Sequence, residues 1–345
     1  MGTKLKDIIE KKDTSFKELS GKRVVIDSFN ILYQFLSSIR QADGTPLMDS
    51  KGRITSHLSG LFFRTAKMLE YDIKPVFVFD GKAPVLKKKE KERRAELKEE
   101  AMKQYEISKE REDLESMKRF ASRTSVLTPE MVNEAKELVK AMGLPTIQAP
   151  SEGEAKAAYI VNKGDAFAEV SQDYDCLLYG VKRVIQNLTV SEKRKKPGTL
   201  SYVRVVPQII DLRENLERLG ISQEQLTIIG ILVGTDYNLG GVKGIGPKNA
   251  LKLVKEYKDR YDELFKFVKW GEYFDMDWKE ILNVIKKMPV AEDYKIEFNA
   301  VDTGKIKEML VDEHEFGGER IDSVLEKLKQ KEKEKAQTGL GTWVR

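Results

Sequence analysis

The stretch "SEGEAKAAYIVNKGDAFAEVSQDYDC", residues 151–176, places Glu152 and Glu154 with one residue between them, then repeats that spacing with Asp173 and Asp175. Two readings are open at this point. Ser151 with Glu154 fits the S-x-x-E capping box of an ordinary helix start, and Asp173 to Asp175 fit a polar loop. The other reading is that the four carboxylates hold metal ions through hard oxygen ligands. The surrounding chain has to decide between them.

Outward from this stretch, two more apolar runs end in aspartate. "KRVVIDS" runs through Val24, Val25 and Ile26 into Asp27, and "KPVFVFDG" runs through Val76 to Phe79 into Asp80. "AFAEVSQDYD" makes a third, ending in Asp173. Continuous apolar character predicts strands covered on both faces, as in a parallel sheet. Between them, residues 55–70 bring Leu58, Leu61, Phe62, Thr65 and Leu69 near one face of a helix. Residues 129–143 open on Thr128-Pro129 and stop at Gly143, a second helix. Alternation of strands and helices predicts an α/β fold with a mainly parallel central sheet flanked by helices. Such sheets bind ligands beyond the carboxyl ends of their strands. Asp27, Asp80, Asp173 and Asp175 would then meet at one edge, which weakens the reading as caps and loops.

Composition narrows the class. The 345 residues are 40% hydrophobic and 34% charged, which predicts a folded core under a heavily ionised surface. No apolar run of about 18 residues appears, so no membrane span is expected. The start, Met1 to Lys6, lacks the apolar core of a secretory signal. Cys176 is the single cysteine, so no internal disulfide or cysteine-built zinc site can form. The expectation is an intracellular protein. The net charge is +5, with basic clusters at Lys87-Lys88-Lys89, Arg93-Arg94 and Lys193-Arg194-Lys195-Lys196. These fit a polyanion partner or a merely solvated face.

Residues 87–123 are dense in Lys, Arg and Glu without Pro or Gly, which predicts helices projecting into solvent. "VIQNLTV" and "TLSYVRVV" flank the basic turn 191–198 and predict a hairpin. Residues 319–335 read as a charged helix that runs into a short tail. His57 and His314 are isolated in sequence and read as structural. Cys176 is not expected to act as a nucleophile, because no positioned base accompanies it.

Two further segments complete the pattern. "GILVGTDYN" carries an apolar run into Asp236, and "GGVKGIGPKNALKLV", residues 240–254, leads a Gly-rich turn into a helix starting at Pro247. Such a turn offers backbone N–H groups and a positive helix end to phosphate. Its G-V-x-G-I-G-P-K-x-A pattern resembles the helix–hairpin–helix grips on DNA backbone. The chain as a whole resembles the archaeal-type flap endonucleases of the 5′-nuclease family, which includes the xeroderma pigmentosum group G nuclease. The matching stretches are "MG", "VIDSFNILYQF", "TSHLSGLFFRT", "KPVFVFDGKAP", "QAPSEGEAKAAYI", "SQDYDCLLYG" and "LVGTDYN…GVKGIGPKNA", in family order.

The resemblance implies a structure-specific endonuclease that cuts branched DNA at the base of 5′ flaps, with 5′–3′ exonuclease activity, in Okazaki fragment maturation and DNA repair. It implies two Mg²⁺ ions, replaceable by Mn²⁺, on Asp27, Asp80, Glu152, Glu154, Asp173, Asp175 and Asp236. Asp80 and Asp173 count among the catalytic residues. Lys87 and Arg94 match the basic pair of a helical gateway at the scissile phosphate, and Tyr33 matches a base-stacking aromatic. Gly2, Arg40, Arg64, Gly244, Gly246 and Lys248 match further DNA contacts. A monovalent cation is implied near the Val242 and Ile245 carbonyls. The tail Gln337 to Arg345 resembles a sliding-clamp-binding box with Gln337, Leu340 and Trp343 in place, although Val344 replaces the second aromatic.

The regions expected are 1–98 (N-terminal nuclease), 99–115 (helical arch), 116–262 (internal nuclease with helix–hairpin–helix), 263–330 (C-terminal helical) and 337–345 (clamp tail). A monomer located with DNA, in the cytoplasm or nucleoid (or a nucleus), is expected. The rival readings are a junction-resolving or exonuclease relative, and a catalytically inactive DNA-binding scaffold. The scaffold would have lost acids, and none of the seven is missing.

Overall fold

The computed structural model describes residues 3–41, 43–111, 113, 116, 120, 124–190, 193–195 and 202–341. Its strands are β1 (Lys12–Asp13), β2 (Arg23–Asp27), β3 (Lys74–Phe79), β4 (Thr146–Gln148), β5 (Ala168–Val170), β6 (Arg183–Gln186), β7 (Lys193–Lys195), β8 (Tyr202–Arg204) and β9 (Gln208–Asp211). Seven of them form one sheet in the order β1-β9-β6-β5-β2-β3-β4. The ladders β6/β5, β5/β2, β2/β3 and β3/β4 are parallel, and β9 runs antiparallel to both β6 and β1. The chain winds outward from β2 to β4, then returns to β5 on the other side. That reversal makes the β2/β5 border the switch point where α/β sheets open a ligand crevice.

The apolar runs are continuous because both faces are buried. Val24, Ile26, Phe77 and Phe79 pack to one side, against helices α1 (Ser28–Ser38) and α2 (Ser56–Glu70). Val25, Val76 and Val78, the alternating residues, face the opposite core. Beyond α2 come α3 (Lys88–Glu110), α4 (Pro129–Ala141) and α5 (Gly153–Lys163). α4 packs on the first face through Ala135, Leu138 and Val139, and α5 on the second through Ala155, Ala158 and Ile160. α4 begins as its sequence dictates: the Thr128 hydroxyl accepts from Met131 N at 3.3 Å, with Pro129 in the first turn. α3 is charged nearly throughout and most of its side chains face solvent.

Two expectations need correction. The hairpin exists, but "VIQ" lies in the central sheet as part of β6, paired to β5 and β9. The antiparallel ribbon is built instead from β7 and β8, so Lys193–Lys195 form a strand rather than a turn. β6 carries Val184 and Ile185, both fully buried, and a central position rewards that more than a two-stranded ribbon can. The C-terminal helix runs Gly318–Gly341, past residue 335, so it crosses into the expected clamp tail. Residues 98 and 99, the expected border between the first two regions, both lie in α3.

Candidate functional site

Four adjacent parallel strands deliver the acids to one edge. Asp27 ends β2, Asp80 follows β3, Asp173 and Asp175 follow β5, and Glu152 and Glu154 start α5 just beyond β4. Asp236 arrives separately, three residues past the helix Gln223–Val233. Glu152, Glu154, Asp175 and Asp236 line one narrow cleft together with Lys87 and Tyr237.

Gly153 explains the spacing of the glutamates. Its N–H donates to Asp80 Oδ1 at 2.6 Å, and a Cβ there would stand 2.4 Å from the same oxygen. Only glycine lets the helix start approach that carboxylate so closely. The Ser151–Glu154 capping box is therefore not formed. Glu152 occupies the N-cap position without a side-chain cap, and the Ser151 hydroxyl donates to Lys82 O at 2.9 Å. Asp27 does cap α1, accepting from Asn30 N at 3.2 Å.

Two neighbours escaped the sequence reading. Asn30 Nδ2 donates to Asp173 Oδ2 at 2.8 Å, tying the ends of β2 and β5 together. Thr3 donates to Asp175 Oδ1 from its N–H at 2.8 Å and also from its hydroxyl. Asn30 lies one turn beyond Asp27 in "VIDSFN", a position from which a cap helix can reach back. Nothing around Thr3 marks it. A further carboxyl was missed: Glu169, buried on β5 opposite Val25, has no hydrogen-bond partner for either oxygen among the described residues.

The acids carry more like charge than they can hold alone. Burial, and then Asp80, push the Asp27 carboxyl up to about 8. Burial and Asp236 push Asp175 up to about 6, against the Thr3 hydrogen bonds. Burial and Asp175 hold Glu154 well above the carboxylate range, and burial with Asp27 does the same for Glu169. Positive charge is thus required for these groups to ionise together. Every donor is a carboxylate oxygen, the chemistry of Mg²⁺ or Mn²⁺ rather than of zinc or copper. The set fits hard divalent ions. Among the described residues no three such side chains form a finished cage, and cations of the protein pair with Glu152 and Asp236.

Those cations come from α3 and the turn before it. Lys87, in the turn Val85–Lys87, places Nζ 2.6 Å from Glu152 Oε2 and 3.1 Å from Asp236 Oδ2. Arg94 Nη2 donates to Asp236 Oδ1 at 2.9 Å and Oδ2 at 3.0 Å. Burial disfavours both charges, but Glu152 and Asp236 hold the Lys87 pKa above its ordinary value and Asp236 does so for Arg94. Lys88 and Lys89 are exposed on the outside of the helix.

The other expected positions divide. Tyr33 is 39% exposed near the site, with Lys98 Nζ 5.1 Å above its ring. Arg40 is tied down instead, donating to Ser125 Oγ at 2.7 Å and Gly44 O at 2.9 Å. Arg64 sits on α2. Gly244, at φ +83°, and Gly246 are open to solvent, and Lys248 is exposed in the first turn of the helix Pro247–Tyr257. Val242 O already accepts from Ile245 N at 3.1 Å. Gly2, Trp343 and Val344 lie outside the described residues, as do the side chains of Gln337 and Leu340.

Cys176 is buried and its thiol is pushed up by burial and by Glu169, which removes it as a nucleophile. The histidines are not isolated. His57 Nε2 lies 3.0 Å from Glu134 Oε2, and His314 Nε2 lies 3.3 Å from Glu134 Oε1. His314 Nδ1 also lies 3.3 Å from Asp49 Oδ2, so the pair ties α2, α4 and the loop before α2 to the C-terminal region.

Known proteins are similar to this chain in sequence and fold. The XPG N-terminal domain family matches residues 1–101 and the XPG I-region matches residues 143–236. Flap endonuclease 1 of Staphylothermus marinus is 52% identical over 350 residues, covering 99% of each chain. Flap endonuclease 1 of Pyrococcus abyssi is 47% identical over 343 residues, covering 99% of this chain and 98% of its own. Among solved structures, flap endonuclease-1 from Methanococcus jannaschii superposes with a TM-score of 0.77 at 42% identity, over 97% of this chain and 100% of its own. The catalytic core of Rad2 in complex with DNA substrate shares the fold, with a TM-score of 0.67 at 22% identity. With relatives this similar across almost the whole sequence, the chain belongs to the flap endonuclease 1 family of structure-specific, metal-dependent nucleases.

Proposed function

We propose that the chain cuts branched DNA at the base of a 5′ flap, with two Mg²⁺ ions, replaceable by Mn²⁺, on Asp27, Asp80, Glu152, Glu154, Asp173, Asp175 and Asp236. The observation that carries this reading is the convergence of Lys87 and Arg94 on Asp236, at the edge where the strands present their acids. Divalent ions held by these carboxylates would lower the pKa of a bound water and offset the negative charge of the reacting phosphate. The chain's own residues do the rest. The carboxylates hold the ions, with Gly153 and Asn30 fixing Asp80 and Asp173. Lys87 and Arg94 move from carboxylate to phosphate and stabilise the negative charge that develops there. Tyr33 stacks a base near the cut.

Farther out, the turn before Pro247 grips duplex backbone with its N–H groups and Lys248, and its Val242 and Ile245 carbonyls hold a monovalent cation. Gly2 and Arg64 contact DNA, and Arg40 does so on leaving Ser125 and Gly44. Gln337 to Arg345 dock a sliding clamp through Leu340 and Trp343. The protein works as a monomer inside the cell, in Okazaki fragment maturation and repair, with some 5′–3′ exonuclease action. A 5′-labelled double-flap duplex tests the reading. Release of a short product near the junction with Mg²⁺, and none with EDTA, is expected. Equal cutting of unbranched duplex, or cutting in EDTA, would overturn it.

A further inference from the structure

Glu90 is out of character for its helix. α3 is a charged helix with most of its side chains in water, yet Glu90 is 1% exposed. It accepts from Arg93 Nε at 2.8 Å and Nη2 at 2.9 Å, and from Arg94 Nε at 2.5 Å. Burial alone would raise its pKa, but those hydrogen bonds hold it below the ordinary range and the group stays ionised. Its charge is therefore held between two guanidinium groups and almost wholly covered from solvent.

The consequence falls on Arg94. Its guanidinium is held at both ends, by Glu90 at Nε and by Asp236 at Nη2. An arginine side chain has several freely rotating bonds, and a planar fork delivers charge usefully only when its plane is fixed. Glu90, one turn upstream, supplies that fixation in the favourable Glu-then-Arg order. As a charge it is unhelpful here, because a carboxylate beside Arg94 weakens the pull of that cation on a phosphate. Its benefit is geometric.

We propose that Glu90 is a positioning residue for Arg94. It aims the Nη2 edge of the guanidinium at the place where the reacting phosphate meets Asp236, and it keeps that edge there when DNA replaces the carboxylate. This rests on the reading of Arg94 as a phosphate contact. The loss of Glu90 then weakens chemistry rather than affinity, since duplex binding is spread over many backbone contacts. Misaiming a catalytic group by a fraction of a residue's length costs on the order of 10- to 100-fold in rate.

A double-mutant cycle on the full chain decides it. Single-turnover cleavage of a 5′ flap duplex in Mg²⁺, and flap-DNA dissociation constants in Ca²⁺, are measured for wild type, Glu90→Ala, Arg94→Ala and the double variant. Glu90→Gln, which keeps an acceptor, is added. Hydrogen exchange over residues 88–110 reports whether the helix survives. The expected result is a cleavage rate about 10- to 100-fold lower in Glu90→Ala, with the dissociation constant changed by less than about threefold. Glu90→Gln should fall between Glu90→Ala and wild type. The double variant should be no slower than Arg94→Ala, with α3 still protected. A Glu90→Ala loss that persists in full on top of Arg94→Ala, or that comes with lost helix protection, overturns the positioning role. So does wild-type cleavage by Glu90→Ala where Arg94→Ala is slow. Wild-type cleavage by Arg94→Ala itself would remove the underlying reading instead, and the two failures are told apart by that single variant.

Discussion

The Lys87 ammonium lies 2.6 Å from Glu152 Oε2, and the two side chains keep only 17% and 7% of their surface exposed. The protein thus brings its own counter-ion into a site crowded with carboxylates. Removing it by Lys87→Met should destabilise the metal-free chain by roughly 1–3 kcal/mol, somewhat less than a fully buried pair costs when broken. The same change frees Glu152 and leaves Asp236 held by Arg94 alone, so Ca²⁺ should bind more tightly. Thermal unfolding in EDTA and calorimetric titration with Ca²⁺ check both. Unchanged stability with unchanged Ca²⁺ affinity would mean the contact carries no weight.

Lys87 and Arg94 should matter to cleavage more than to binding. They stand two helical turns apart, which puts them on one face, and both reach Asp236. Lys87→Ala and Arg94→Ala should each slow single-turnover cutting by about 10²–10³-fold, with much smaller changes in the dissociation constant. Lys89→Ala, on the exposed side, is the mild control. If Lys89→Ala slows cleavage as much as Lys87→Ala, the helix is only a basic surface.

Asp80→Ala or Asp173→Ala should abolish cleavage and leave flap-DNA binding intact or slightly tighter, because the acids repel phosphate and help only by holding cations. Ca²⁺ should support binding without cutting. Wild-type turnover from either variant would end the assignment.

The acidic edge was legible because the chain announces it twice. Strands run apolar to their ends and stop on Asp27 and Asp80, and the parallel order then forces those ends together. What stayed hidden depends on contacts distant in sequence. Ser151 looked like a cap because its pattern with Glu154 is common, but its hydroxyl donates to Lys82 O, 69 residues away in sequence, and the helix cap falls one residue later at Glu152. Glu90 was lost among the many Glu–Arg spacings of a charged helix, where pattern alone cannot tell a buried carboxylate from a solvated one. Glu169 sits inside "AFAEV" with no partner in sequence and no hydrogen-bond partner among the described residues. His57 and His314 looked solitary because the residue that joins them, Glu134, lies on a third element.

Glu169 gives a pH prediction. Its pKa is raised by burial, so in the carboxylate range the native chain binds a proton that the unfolded chain has released. Its contribution to stability is therefore fully present below the unfolded pKa of about 4.3 and is lost as pH rises toward the folded value, by up to about 1.4 kcal/mol per pH unit. Glu169→Gln, neutral and of the same shape, should remove that slope. Urea unfolding of both chains from pH 4.5 to 7 in EDTA checks it. Parallel curves for the two would show that Glu169 ionises freely.

On the proposed reading, the acids at this strand edge hold divalent ions beneath the Lys87 and Arg94 cations. Mn²⁺ binding, counted by electron paramagnetic resonance with uncleavable flap DNA bound, tests it most directly. The account predicts two ions per wild-type chain, with one or both lost in Asp80→Ala and in Asp173→Ala while the DNA stays bound. An unchanged count in both variants would contradict it.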